Sequence, residues 1–435
     1  MKQIFAFILI ALSFQGVSSQ TYIPLDTANL EVRKQASTLF LSNEKLFYKE
    51  LGQEYKGGER SLIKKRFEAI NKAFNEDILK GQFVFDQRFD KLVDSIMTEI
   101  KASNSTIPPD FKFYISRNLP LNAASFGNKN FVLNMGAFCY LQDDDQLAAI
   151  ISHEIGHYLL KHTIKNIQHH YFLNKSSEMK DQMYELKNDK NNQGAKAYTR
   201  LKNLLYEDGR LNKRQELEAD SLGYEIYRKT RFKKSEYLNN LRLSEMYDTI
   251  RPLGLDVQTY KKVFNLPQLP FKEEWLKKED FSNYDYSRFK DRYNEDSISS
   301  HPETLERIAA LKKLFPELQK MEESIDGSPQ FMKLHSIARY ERLPNLMFQE
   351  EYGVGVYGCL LGMQENEKDA FYTEWLGKFF EKIYDARKHY TLNRYLDRIN
   401  PKNQSESYQQ FLSFIWNLNL SEIKAITDYY TKRGS

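Results

Sequence analysis

His153-Glu154-Ile155-Gly156-His157 constrains this chain more than any other stretch, because on a helix it fixes three side chains in space. An α-helix turns about 100° per residue, so residues four apart share a face, one turn apart along the axis. Two imidazoles so placed suit one tetrahedral Zn²⁺ at about 2.0–2.1 Å. Glu154, one step along, can face a water in the open coordination position and serve as its general base. Upstream, Asp143-Asp144-Asp145 reads as an acidic helix start, and Gln146 to Ser152 as an apolar stripe that Tyr158-Leu159-Leu160 continues. The motif therefore rides a largely buried helix, where unpaired His and Glu would be costly and a metal removes the cost.

Two imidazoles and a water leave one ligand to find. Gln215-Glu216-Leu217-Glu218-Ala219-Asp220-Ser221-Leu222-Gly223-Tyr224 reads as a second amphipathic helix, with Glu216 and Asp220 on one face. A His₂Glu site takes its carboxylate from a separate helix and uses further carboxylates to orient the imidazoles. Glu216 suits the ligand role, and Asp220, one turn on, could accept the second N–H of a metal-bound histidine. Glu218 points about 160° away from Asp220 and is the weaker ligand candidate. One Zn²⁺ per chain is the expected cofactor. Of the eight histidines, His162, His169 and His170 run into a polar stretch and are expected to be exposed, and His335 and His389 to be structural or solvated. His301, followed by Pro302, Glu303 and Glu306, reads on its own as a helix boundary.

HExxH followed by ExEADxxG resembles the gluzincin metallopeptidase family that contains HtpX, BepA and the CAAX prenyl endopeptidases. Two further blocks agree. Ser300-His301-Pro302-Glu303-Thr304-Leu305-Glu306-Arg307-Ile308 resembles the family's HP-x(4)-R segment. Asn122-Ala123 followed by Phe131-Val132-Leu133-Asn134-Met135-Gly136 resembles its Asn-Ala edge strand and the hairpin leading into the catalytic helix. The likeness runs over roughly residues 100–315, with the motifs in the family's order. It implies a zincin-like core, Glu216 as third ligand, and His301 near the metal, stabilising the transition state or occluding the zinc. It also implies that Arg307 ties that segment to the core and that Asn122, Ala123 and Ala124 lie on a substrate-facing strand. Ala-Ala-Ser follows Asn122 where the family more usually has Ala-Phe-Ala.

The N-terminus bears on the compartment. Lys2 precedes an apolar run from Ile4 to Phe14, and small or polar residues through Val17-Ser18-Ser19 follow. This is the layout of a secretory signal peptide cleaved before Gln20, and the run is shorter than the ~18–20 apolar residues of a spanning helix. An uncleaved anchor is the runner-up, and the lack of a cysteine after the run argues against a lipoprotein. Export to the periplasm of a Gram-negative bacterium is the expected location, with at most peripheral membrane contact. Lys and Arg total 63 against 59 acidic residues, so the +4 charge implies no nucleic-acid partner. Cys139 and Cys359, the two cysteines, are expected to be buried free thiols.

The pattern of elements is α+β and mostly α-helical. Residues 1–19 read as the signal, 20–100 as an N-terminal helical region, 101–317 as the metallopeptidase domain with a small sheet, and 318–435 as a C-terminal helical region. Strands are expected at Phe111–Ile115 and Phe131–Leu133, an exposed helical excursion over about 163–213, and close helix packing at Tyr352 to Cys359. The chemistry implied is peptide hydrolysis. An added substrate strand along Ala124 to Asn128 would read extended chain through its main chain, which fits a protease for unfolded or misassembled envelope proteins. The rival reading is a chaperone or assembly factor whose helical tail holds envelope partners while the zinc site stays latent.

Overall fold

End signals and apolar spacing define the helices before packing acts on them. The computed structural model describes residues 22–175, 193–249, 254–277, 304–320, 327–400 and 404–434. The signal assigned to residues 1–19 and His301 lie outside the described residues. Asn29 opens α1 (Leu30–Glu54) by accepting the backbone N–H groups of Glu31 and Val32, which satisfies donors that a helix start leaves open. α2 (Gly57–Lys80) packs on α1 through Phe47, Leu51, Ile63 and Phe67.

Four strands follow, with one long helix among them: β1 (Phe83–Val84), α3 (Gln87–Ser103), β2 (Lys112–Ser116), β3 (Ala123–Ser125) and β4 (Asn130–Asn134). They form one sheet in the order β1-β2-β4-β3, with β2 and β4 parallel and both outer strands antiparallel to their neighbours. β4 is buried along its whole length, as a central strand is. The expected strands at Phe111–Ile115 and Phe131–Leu133 are β2 and β4. β3 forms one edge of the sheet, with Ala123 opposite Leu133 and Ser125 opposite Phe131.

The rest of the described chain is helical: α4 (Met135–Tyr140), α5 (Asp144–Leu159), α6 (His162–Lys175), α7 (Gln193–Tyr227), α8 (Ser235–Thr249), α9 (Val257–Phe264), α10 (Thr304–Leu314), α11 (Pro329–Phe348), α12 (Tyr352–Glu365), α13 (Ala370–Lys388), α14 (Glu406–Asn417) and α15 (Leu420–Gly434). This is the mostly helical α+β class expected. Two cores organise it. One gathers α3, the sheet, α4, α5, α7, α8, α10 and the first half of α11. The other gathers α9, Trp275, the second half of α11, and α12 to α15. In α12, Gly355 lies against Phe379 of α13 and Gly362 against Tyr372, the close packing that the small residues predict. Cys139 and Cys359 are free and buried, and burial pushes the Cys139 thiol up to about 12. Among the described residues, no helix is long and apolar enough to cross a membrane.

Candidate metal centre

α5 begins at Asp143, whose carboxylate accepts the Gln146 N–H at 2.7 Å, and Asp144 and Asp145 follow where the helix dipole favours them. Leu147, Ala148, Ile151 and Ile155 are buried in the core. His153, Glu154 and His157 line a cleft of about 340 Å³ with Glu216 and Asp220 of α7. The two helices cross closely because each carries a glycine at the contact. A Cβ on Gly156 would stand 2.8 Å from the Ala219 carbonyl oxygen, and one on Gly223 would stand 2.8 Å from His153 Cα. Backbone cannot yield to that overlap without moving the helices apart. Close crossing is what brings Glu216 to the two imidazoles.

The geometry suits a metal. The Nε2 atoms of His153 and His157 are 3.0 Å apart. Glu216 places one oxygen 3.5 Å from His153 Nε2 and the other 3.3 Å from His157 Nε2. Ligand atoms at ~2.0–2.1 Å from a tetrahedral ion stand about 3.3 Å from one another. The observed separations bracket that value, so this donor set fits zinc. Among the described residues, these three side chains form the one such group of His, Cys, Asp and Glu ligand atoms, all within 4.8 Å of one another.

Asp220 sits behind His153, with its Oδ1 2.9 Å from His153 Nδ1. Arg307, on α10, grips the same carboxylate with two hydrogen bonds of 2.7 Å, from Nε to Oδ2 and from Nη2 to Oδ1. Its Nη2 also lies 3.6 Å from Glu216 Oε2. Burial alone would raise the Asp220 carboxyl, but Arg307 and His153 outweigh it and hold it below its ordinary value. Burial disfavours charge on His153, yet Asp220 and Glu216 lift its imidazolium to about 10. The pair of carboxylates makes this pocket strongly receptive to positive charge, whether a proton or a metal ion supplies it.

His162 corrects the sequence reading. It is not exposed but 3% accessible, with Nδ1 2.9 Å from His157 Nδ1 and Nε2 3.2 Å from Glu218 Oε2. Burial and the neighbouring His157 push its imidazolium down to about 4, against the pull of Glu218. Glu218 stays out of the three-residue group, as its helical position predicts, and serves His162 instead. His169 is half-buried and His170 exposed. Sequence reasoning missed His162 because the helix breaks between α5 and α6, where Lys161 takes φ 56°. Tyr237 of α8 was also missed, and its hydroxyl donates to the Asp220 carbonyl oxygen at 3.1 Å.

β3 borders the cleft. Residues 121 to 125 line it, and Ala124 is exposed. Asn122, Ala124 and Phe126 point their main chain at β4, since Asn134 N–H reaches the Asn122 carbonyl and Phe126 N–H the Asn130 carbonyl. By the alternation of an antiparallel pair, the main-chain groups of Ala123 and Ser125 therefore face outward. The edge does not run on to Asn128, which is 6% accessible and donates to Asn71 Oδ1 of α2.

Two histidines and a carboxylate converging on an open cleft, beside the edge strand β3, are the working parts of a metallopeptidase. The model of peptidase family M48 matches residues 86–315, more than half of the chain, and the chain belongs to that family. This is the family of HtpX and BepA to which the motifs point. The chain is 25% identical over 85 residues to the beta-barrel assembly-enhancing protease of Yersinia pestis, a match covering 20% of this chain and 18% of that protein. Against the protein of the same name from Escherichia coli K12 it is 25% identical over 83 residues, covering 19% and 17%. The chain thus matches less than a fifth of these relatives' own length.

Proposed function

We propose that this chain is a zinc-dependent endopeptidase, exported to the periplasm, that hydrolyses unfolded or misassembled envelope proteins. His153, His157 and Glu216 hold one Zn²⁺, which when bound polarises the scissile carbonyl and lowers the pKa of a water towards ~7. Convergence of two Nε2 atoms and a carboxylate at tetrahedral spacing is the observation that carries this reading. Glu154 is the general base: it takes the proton from the attacking water and delivers it to the leaving amine. Asp220 fixes the His153 ring, and Arg307 fixes Asp220. An extended substrate adds a strand to β3, held through the main chain of Ala123 and Ser125, with Asn122 and Ala124 beside it. His301 donates to the oxyanion or caps the zinc in a resting state. The peptidase unit is assigned to residues 101–317, between a leader (1–19) with an N-terminal helical region (20–100) and a C-terminal helical region (318–435) that receives assembly partners.

Glu154→Gln tests the chemistry. Zinc content and thermal melting should stay as in the parent, while peptidase turnover on casein falls by several orders of magnitude. Equal turnover would refute the base assignment. The variant also isolates a holding role, since suppression of substrate aggregation that survives in Glu154→Gln would belong to the helical regions and not to cleavage. For His301→Ala, a loss of roughly 10²–10³-fold in rate marks an oxyanion donor, and a rise in basal proteolysis marks a cap. An unchanged rate would return His301 to a helix boundary.

A further inference from the structure

Among the described residues, His153 has a carboxylate behind it and His157 has none. What stands behind His157 is another histidine. In a continuous helix, the residue five positions after His157 would point about 140° away from it. Instead α5 ends at Leu159, Lys161 takes the left-handed φ of 56°, and α6 restarts at His162. That break turns the His162 ring back to within 2.9 Å of His157, Nδ1 to Nδ1, in a site with 3% exposure. On its far side, His162 Nε2 meets Glu218 Oε2 at 3.2 Å. Glu218 is partly open to solvent and also lies 3.5 Å from Arg214.

Proton positions along this chain are fixed by one requirement. For His157 to present a lone pair at Nε2, where Glu216 and His153 converge, its proton must sit on Nδ1. That N–H then donates to Nδ1 of His162, whose own proton must sit on Nε2 and donate to Glu218. Each nitrogen has one role and none is left over. We propose that His162 and Glu218 form a positioning relay that sets the tautomer and ring orientation of His157, doing for the second histidine what Asp220 and Arg307 do for the first. The inference rests on His157 being a zinc ligand. His162 and Glu218 lie outside the group of three converging ligand atoms and act through His157, so both are positioning residues. A ligand held by a neutral ring is also less electron-rich than one held by a carboxylate, which makes the two histidines unequal donors.

The experiment is zinc affinity of the full chain, measured by competition with a chromogenic chelator. His162→Ala should weaken binding about 10–100-fold, the usual cost of losing an outer partner of a ligating histidine. His162→Asn places an amide oxygen where Nδ1 stood and should recover most of that loss. His162→Phe fills the space without an acceptor and should be as weak as Ala. Glu218→Gln, a change at a partly exposed side chain, should give a smaller loss in the same direction. A purely space-filling role predicts the opposite order, with Phe close to the parent and Asn poor, and that result would overturn the relay. Parental affinity in His162→Ala would overturn it too. His157→Ala is the control: if it binds zinc as the parent does, the ligand assignment itself has failed, and this is distinguishable because the His162 variants are compared only in a protein whose zinc depends on His157.

Discussion

Asp220 shows how much the site depends on a single buried charge. It is 1% exposed, faces His153 on one side, and is held in a fork by Arg307 on the other. Removing a partner from a buried ion pair leaves the remaining charge uncompensated, which typically costs about 3–5 kcal/mol. Arg307→Ala should therefore lower stability by about that amount in urea titration, and it should loosen zinc only so far as Asp220, no longer held by the fork, ceases to orient the His153 ring. Arg307→Lys should recover only part of the loss, since a point charge cannot reproduce the two-bond fork. Parental stability in both variants would show that the fork is ornamental.

Elements act through their spacing. α5 and α7 bring His153, His157 and Glu216 together only because Gly156 and Gly223 let backbones touch, and Gly223→Ala would push a methyl group against His153 Cα. Overpacking of this kind costs about 1–3 kcal/mol, and here the displacement falls on a candidate ligand. Gly223→Ala should bind zinc more weakly in proportion to its lowered melting temperature; unchanged binding in a destabilised protein would separate the glycine from the site. The edge strand makes a different prediction. Ser125 points its N–H away from β4, so Ser125→Pro removes an outward donor without breaking the ladder, a setting in which an edge strand accepts proline. KM for an extended peptide should rise while zinc content and melting hold. A parental KM would rule out strand addition at this position.

Across the whole molecule, α11 is the shared beam. Phe331, Leu334 and Ala338 enter the first core, and Leu343 and Leu346 enter the second. At their junction lies Glu341, 0% exposed, whose Oε1 accepts the Tyr22 hydroxyl and the Leu25 N–H, each at 2.8 Å. Tyr22 stacks on Tyr340, so the start of the described chain is fastened where the two cores meet. Burial raises the Glu341 carboxyl above 4.5, although Leu25, Tyr22 and Arg117 oppose it. For an acid raised in the folded state, its contribution is fully present below the unfolded pKa and is lost as pH rises through the folded value. The stability of the parent relative to Glu341→Gln should accordingly fall as pH climbs above about 4.5 and then level off. A difference that grows with pH would mean that the hydrogen bonds, and not burial, govern this carboxylate.

The HExxH spacing, the second helix with Glu216 and Asp220, the α+β class and the burial of both cysteines were legible in the sequence, because each depends on helical periodicity or on local polarity. A period of 3.6 residues tells which side chains share a face, and that suffices for ligands four apart. Only the tertiary structure decided that Arg307 closes on Asp220, that β3 and not the turn at Asn128 carries the sheet edge, and that His162 turns inward. His162 illustrates the reason. Its neighbours in sequence are polar, so local polarity reads as exposure, yet one left-handed residue at Lys161 redirects the chain and buries the ring against His157. A single φ angle is invisible to periodicity, and contacts such as Arg307 with Asp220 join residues that no local pattern links. Distance along the chain carries faces and repeats; proximity in space, set by where helices cross, decides which of those faces meet.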